Sequence, residues 1–275
     1  MGCVTYLDTG SARIFYTDSE PDSTNVPLVF VHGWTCDSND WIWQLPEISK
    51  RFRAVALDLR GHGRSSTPAA GYRLSDYAAD VVALVQGLHV RQVVLIGHSM
   101  GALICSLISD QQPDLVAALV VIDAPYAITA AGISEAAQFA QRVAYGNGVA
   151  VVTQWLSQAD LETTPSYLVE WHRRRIAAMP QHVLAETVAD VHDNAVSIAN
   201  TPFSQQLWSR RAMPTLVVAA NREAADREVP FFQSERSLAV TIEAVGHWPH
   251  QERPDDFNDI LSNWLDTQAT VATPL

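Results

Sequence analysis

A serine between two glycines is the first feature of this sequence that could carry chemistry. The segment Gly97-His-Ser-Met-Gly101 directly follows an apolar run that ends at Ile96, and a helical pattern follows it. In the pattern Gly-x-Ser-x-Gly, the serine sits on a turn between a strand and a helix that is too tight for larger residues at the glycine positions. The sequence therefore predicts a nucleophile elbow that presents the hydroxyl of Ser99.

A base is the next requirement of such a site. A hydroxyl nucleophile, or an acidic proton on a substrate, needs an acceptor whose pKa lies near neutral pH, and histidine supplies one. His247 and His250 stand between the last predicted strand and the last predicted helix. No metal site is expected at this pair, because no third ligand stands at a recognisable spacing.

The elements that must position these residues are short β-rich runs that alternate with helical patterns, which is typical of parallel strands joined by crossover helices. An opening hairpin is predicted at 4–7 and 12–17. Ser75 is expected to cap a helix that leads into the strand before the elbow, and 255–265 should form a closing helix. Buried strands are predicted at 27–31, 54–57, 92–96, 117–122, 215–219 and 240–243.

A long helical stretch interrupts this alternation between Asp123 and Met213. An insert that returns to the same sheet should lie over the C-terminal ends of the strands, where doubly wound folds bind ligands. We therefore expect a core domain of residues 1–124 and 213–275 and a helical cap of residues 125–212. Short helices are predicted in the cap at 126–133, 138–145, 149–156, 165–178 and 183–191.

Composition excludes several classes of function. The net charge of -12 argues against a nucleic-acid partner, because phosphate binding needs clustered Lys and Arg. The basic run Arg173-Arg174-Arg175 is expected on the solvated face of a helix. No window approaches the ~18 apolar residues of a membrane helix, and the N-terminus lacks the segments of a signal peptide. Three cysteines are too few for a disulfide framework, so we expect a cytoplasmic protein without a membrane partner.

The motifs together resemble the α/β-hydrolase superfamily, and the resemblance covers nearly the whole chain. It rests on the elbow, on Val29-Phe-Val-His-Gly33 and on the segment from Asp58 to Ser65. The resemblance implies an α/β-hydrolase fold: a mostly parallel eight-stranded sheet flanked by helices, with a helical cap inserted after strand 6.

The same resemblance implies roles for individual residues. It makes His247 the catalytic histidine, and it makes the backbone N–H groups of Trp34 and Met100 the donors that hold an oxyanion. His98, beside the serine, and Trp155, in the predicted cap, are candidates for contact with the substrate. For His98 the alternative is a packing role.

Two acids compete to orient the histidine. Most hydrolases of this fold carry the acid after the strand that corresponds to 215–219, and Glu223 occupies that position here. Some branches take it from the end of the strand after the elbow, where Asp123 stands. The sequence leaves both candidates open.

A finer resemblance is to the cofactor-independent dioxygenases that open 3-hydroxy-4-quinolone rings. It rests on Val31-His-Gly-Trp34, on Asp37 three residues after that tryptophan, and on Asp123. Two residues depart from the dioxygenase pattern: Met100, where a dioxygenase relative can carry a second histidine, and Gly97, which is hydrolase-like.

The predicted function follows from that finer resemblance: His247 removes the 3-hydroxyl proton of a 2-alkyl-3-hydroxy-4(1H)-quinolone, and the anion reacts with O₂. The ring then opens to release CO and an N-acylanthranilate, with no metal and no other cofactor, while Ser99 orients the substrate. The alternative is a serine esterase or lactonase that uses Ser99 as nucleophile, His247 as base, and Asp123 or Glu223 as the acid.

Both hypotheses predict a small apolar aromatic substrate, with O₂ as a second substrate for the dioxygenase only. The chain is rich in tryptophan, which suits a flat apolar pocket. The candidates to line it are Trp34, Trp41, Trp43, Trp155, Trp171 and Trp248. The oligomeric state has no signal in the sequence.

Overall fold

Eight strands form one sheet in the computed structural model, which describes residues 3–20, 22, 26–126, 128–192, 194 and 196–269. The strands are β1 (Cys3–Asp8), β2 (Arg13–Asp18), β3 (Leu28–Val31), β4 (Ala54–Leu57), β5 (Val93–His98), β6 (Val116–Ile122), β7 (Thr215–Ala219) and β8 (Leu238–Thr241).

The strand order in the sheet is β1-β2-β4-β3-β5-β6-β7-β8. β1 pairs antiparallel with β2, and β2 pairs antiparallel with β4. The remaining pairings among these strands are parallel. Parallel neighbours need a long crossover connection, which explains why helices separate most of the later strands. The mostly parallel eight-stranded sheet predicted from the sequence is confirmed.

Helices connect and cover the strands. Those described are α1 (Leu45–Ile48), α2 (Leu74–Gly87), α3 (Met100–Gln111), α4 (Ala130–Tyr145), α5 (Gly148–Leu156), α6 (Ser166–Ala178), α7 (Gln181–His192), α8 (Phe203–Arg210), α9 (Arg222–Asp226), α10 (Pro249–Glu252) and α11 (Pro254–Ala269). Short 3₁₀ segments occur at Ser38–Trp41, Pro113–Leu115 and Val229–Phe231.

The core lies on both faces of the sheet. β3, β4, β5 and β7 are buried along their whole length, as expected for parallel strands with helices on either side. Because successive side chains alternate, Val29 and Val31 pack in one apolar cluster with residues of α2 and α3. Leu28 and Phe30 pack in a second cluster with residues of α11.

Several predicted helix bounds are wrong. Ser75 does not cap α2, because the helix already begins at Leu74 and Arg73 is its N-cap. The carboxylate of Asp76 accepts the amide N–H of Arg73 at 2.9 Å. One continuous helix, α4, replaces the two helices predicted at 126–133 and 138–145, because no breaking residue separates them, and it begins only at Ala130. The helix α8 was not predicted.

The helices α4 to α8 intervene between β6 and β7. Residues of α5 and α7 face the C-terminal ends of the strands across a cavity, which is where the sequence places a cap. The boundaries of that cap at 125 and 212 stay a prediction. Within the described residues, no helix combines the length and the apolar character that crossing a bilayer requires.

The turn between β5 and α3 depends on two glycines. Ser99 has a φ of 52°, in the left-handed region that side chains rarely adopt. A Cβ on Gly97 would lie 2.4 Å from the carbonyl oxygen of Gly101, and a Cβ on Gly101 would lie 2.2 Å from that of Val31. Backbone atoms at these distances cannot move aside, so only glycine fits at either position.

We expect Gly101→Ala to lower the free energy of unfolding by about 3 kcal/mol or more, because its methyl group must displace the backbone of β3. Gly87→Ala in α2 is the matched control, since its Cβ would meet only the end of the Leu7 side chain, at 3.3 Å. Urea unfolding of both variants measures the difference. Equal stability of the two variants would show that the elbow has room for a side chain.

Candidate active site

The hydroxyl of Ser99 meets the imidazole of His247 at the C-terminal edge of the sheet. Ser99 follows β5, and His247 lies in the loop between β8 and α10. Oγ of Ser99 is 2.8 Å from Nε2 of His247, which is a hydrogen-bond distance. Two residues far apart in the chain therefore stand in the relation that a nucleophile and its base require.

Asp123 holds the other side of the same ring. Nδ1 of His247 donates to Oδ2 of Asp123 at 2.6 Å, and Oδ1 of Asp123 accepts the backbone N–H of Ala220 at 3.0 Å. Asp123 directly follows β6 with a φ of 43°, and its own amide donates to Val218 at 2.8 Å. With Nδ1 protonated, the lone pair of Nε2 faces Ser99.

Glu223, the competing acid, lies away from this ring. Its side chain is 82% exposed and accepts a hydrogen bond from Arg227, one turn further along α9, at 2.9 Å. Of the two acids that the sequence leaves open, the structure brings Asp123 to His247 and leaves Glu223 at the surface.

His98 lies behind His247, although it borders the cavity. Its side chain is 1% exposed, and its Nε2 donates to the backbone carbonyl of His247 at 2.7 Å. Burial lowers the pKa of His98 well below its ordinary value. His98 thus anchors the backbone of the loop that carries His247, which is closer to the predicted packing role than to contact with the substrate.

The amides of Trp34 and Met100 remain available. Trp34 follows β3, and Met100 is the first residue of α3, directly after Ser99. Among the described residues, neither backbone N–H has a protein acceptor. Both residues line the cavity beside Ser99. The first N–H groups of a helix point outward at its positive end, which suits an anion.

The cavity above Ser99 has a volume of about 530 Å³. Its cap side includes Trp155 of α5, and Val188 and Val191 of α7. The ring of Trp155 lies 6.4 Å from that of Trp34, between centroids. A pocket of this size with mostly apolar walls suits a small organic ligand.

The predicted tryptophan pocket is only partly observed. Trp34, Trp155 and Trp248 line the cavity. Trp41 is fully buried in the second apolar cluster, and Trp43 and Trp171 face each other elsewhere, with ring centroids 6.4 Å apart. Sequence position alone could not separate these two groups, because tryptophan packs equally well in cores.

Arg175 also departs from its prediction. It was expected on a solvated helix face, but its side chain is 10% exposed and it forms an ion pair with the buried Asp40. Nη1 of Arg175 also lies 3.7 Å from Oδ1 of Asp37, in a second ion pair. The side chain of Asp37 in addition caps the 3₁₀ turn Ser38–Trp41. Asp37 does not line the cavity.

Polar residues that line the cavity but were not singled out in the sequence include Asn221, Arg227 and His192. Arg227 is the one cation among the described residues that line the cavity. In the sequence, only its spacing of four residues from Glu223 could have drawn attention to Arg227. His192 lies at the end of α7, and burial lowers its pKa to about 4. The group Cys36, Asp40 and His98 has donor atoms close enough together to hold a metal ion.

The arrangement can move a proton between oxygen and nitrogen. Transfer of the Ser99 proton to Nε2 would leave an imidazolium beside the Asp123 carboxylate, which stabilises that positive charge. The same nitrogen can accept a proton from a bound substrate hydroxyl. The geometry therefore supports nucleophilic attack by Ser99 and also general-base chemistry by His247 alone.

Known proteins are similar to this chain in sequence and in fold. A family model described as "Alpha/beta hydrolase family" matches residues 28–260. The chain is 27% identical to (E)-2-((N-methylformamido)methylene)succinate hydrolase of Acinetobacter baylyi, over 88% of this chain and 90% of the relative. It is 41% identical to a non-heme chloroperoxidase of Streptomyces lividans, over 45% of each chain. A solved esterase from Thermogutta terrifontis has a TM-score of 0.80 and 23% identity, covering 98% of this chain and 99% of the esterase, a likeness of fold alone.

Buried neutral histidines surround the site, and they make stability depend on pH. Burial lowers the pKa of His250 to about 3 and that of His172 to about 4. An unfolded chain binds these protons near pH 6.5. Below that pH the unfolded state takes up protons that the folded state does not, so acid favours unfolding.

We expect the free energy of unfolding to fall as the pH is lowered from 6.5 to about 5, by up to about 1.4 kcal/mol per pH unit for each such histidine. His250→Gln removes one of them and should make the slope shallower by about that amount. Urea unfolding across this range measures both slopes. A slope that is the same with and without His250 would contradict the assignment of a neutral, buried ring.

Proposed function

The chain belongs to the alpha/beta hydrolase family, and on that premise we propose that it is a serine hydrolase that cleaves a carboxylic ester or lactone. The observation that carries the proposal is the hydrogen-bonded chain from Ser99 through His247 to Asp123, with distances of 2.8 and 2.6 Å. The names of the relatives support hydrolysis rather than oxygenation.

The reaction follows from the donors and acceptors at the site. Oγ of Ser99 attacks the substrate carbonyl while Nε2 of His247 takes its proton, and Asp123 stabilises the imidazolium. The amides of Trp34 and Met100 hold the oxyanion of the tetrahedral intermediate. His247 then returns the proton to the leaving oxygen, and a water molecule repeats the sequence to release the acid from Ser99.

The substrate is a small molecule with an apolar, aromatic part. Trp34 and Trp155 offer flat apolar walls, and Val188 and Val191 complete the cap side. Arg227 also lines the cavity, and its guanidinium, which pairs with the exposed Glu223, has further N–H groups that suit a carboxylate. A carboxylate is also present in the succinate derivative for which the Acinetobacter baylyi relative is named.

The second candidate function is the dioxygenation predicted from the sequence. The observation in its favour is the position of the acid, because Asp123 follows β6 directly and hydrogen-bonds His247. His247 then accepts the 3-hydroxyl proton of a 2-alkyl-3-hydroxy-4(1H)-quinolone, O₂ adds to the anion, and CO and an N-acylanthranilate leave. We place it second, since the names of the relatives are those of hydrolases, esterases and haloperoxidases.

Ser99→Ala separates the two functions. For the hydrolase we expect kcat/KM toward p-nitrophenyl esters to fall by about 10⁴ to 10⁶-fold, because the attacking oxygen is gone. Release of p-nitrophenolate measures this rate, and urea unfolding confirms that the variant is folded. Unchanged ester hydrolysis in Ser99→Ala would contradict the proposal. Consumption of O₂ with a 3-hydroxy-4-quinolone that remains substantial in the same variant would establish the dioxygenase instead.

Asp123→Asn tests which acid serves His247. We expect kcat for ester hydrolysis to fall on the order of 10⁴-fold, because an amide no longer stabilises the imidazolium and favours the wrong tautomer. Glu223→Gln is the matched control and should leave kcat within about twofold, since this exposed side chain contacts Arg227 rather than His247. The reverse result would place Glu223 at the site during catalysis.

A further inference from the structure

A second group of side chains that can bind a ligand lies next to the candidate active site. Cys36 follows β3, Asp40 lies in the 3₁₀ turn Ser38–Trp41, and His98 ends β5. Each is between 1% and 3% exposed. One donor atom from each residue lies within 4.8 Å of the other two. We infer that these three residues, the Cys36 cluster, form a binding site for a divalent cation of the zinc class.

Two buried polar atoms of these side chains have no hydrogen-bond partner among the described residues: Oδ2 of Asp40 and Nδ1 of His98. The remaining polar atom of each side chain is occupied, Oδ1 of Asp40 by Arg175 and Nε2 of His98 by the carbonyl of His247. A buried polar atom without a hydrogen bond costs about 1–3 kcal/mol. Two such atoms beside a thiol therefore indicate a polar occupant.

The hydrogen bond of His98 prepares its ring for a metal. A carbonyl can only accept, so Nε2 carries the proton and Nδ1 presents its lone pair. Metal-binding histidines usually donate their other N–H in this way, which orients the ring and increases its basicity.

The charges around the cluster match a divalent ion. Asp37 and Asp40 share the single positive charge of Arg175, which leaves one negative charge. Zinc displaces the proton of a thiol that it binds, so Cys36 would bind it as a thiolate. The resulting thiolate brings the surplus to two negative charges, which a divalent cation neutralises.

The donor set selects the kind of metal. A thiolate, an imidazole nitrogen and a carboxylate oxygen together favour Zn²⁺ and its analogue Cd²⁺ over Mg²⁺ or Ca²⁺. Metal–ligand bonds of about 2.0–2.3 Å place two ligands of a tetrahedral site roughly 3.5 Å apart. The distances between the three donor atoms, now up to 4.8 Å, must therefore shorten by on the order of 1 Å when a metal binds. Cys36 and His98 border the large cavity, which provides an entry path and water for a fourth position.

Cadmium binding tests the site directly, because a cadmium thiolate has a charge-transfer absorption in the ultraviolet. All proteins carry Cys3→Ser, so that only Cys36 and Cys105 contribute. We expect one equivalent of Cd²⁺ to produce the band, Cys36→Ser to abolish it, and Cys105→Ser to retain it. Cys105 is the matched control, because it is equally buried but belongs to α3 and not to the cluster.

Zinc calorimetry gives the second measurement. We expect one Zn²⁺ per chain, with an affinity that falls at least about 100-fold in His98→Gln, which keeps the thiol but loses the imidazole ligand. This variant also decides the question should Cys36→Ser fail to fold. Absence of the cadmium band in the Cys3→Ser protein, its persistence in Cys36→Ser, or an unchanged zinc affinity in His98→Gln would each overturn the inference.

Discussion

The hydrogen bond between Asp123 and His247 is the interaction on which the site depends. It decides which ring nitrogen carries the proton, and so leaves the other free to accept from Ser99. The bond exists because β5 and β6 are neighbours in the sheet, which brings Asp123 beside the elbow, and because the loop after β8 returns over both strand ends. The backbone N–H of Ala220 holds the second carboxylate oxygen, so β7 contributes to the same geometry.

The site is organised in layers along one direction. The cap helices α5 and α7 supply apolar walls above Ser99, and the strand ends supply the polar groups in the middle. Below them, His98 links the backbone of His247 to the buried Cys36 cluster through one hydrogen bond of 2.7 Å. A change in the Cys36 cluster would therefore reach His247 through its backbone, whereas a change in the cap would reach the substrate first.

Features that depend on residues close together in the chain could be predicted from the sequence, and features that depend on distant segments could not. The elbow is a local steric constraint, so the spacing of Gly97 and Gly101 was sufficient, and the apolar runs that became β4 and β7 were identified at their observed bounds. The choice between Asp123 and Glu223 depends on which strand lies beside β5, and no local pattern contains that. Arg175 is buried only because Asp37 and Asp40, from a distant loop, pair with it. A run of three arginines gives no sign of such partners.

In the proposed hydrolase, Asp123 and His247 activate Ser99 as a nucleophile. The most direct measurement is the rate at which a fluorophosphonate modifies the protein, followed by intact mass and by mapping of the modified peptide. We expect a single adduct on Ser99 and labelling at least about 10³-fold slower in His247→Gln, since the serine then lacks its base. Labelling of Ser99 at the same rate in both proteins, or no adduct on the folded wild-type chain, would contradict it.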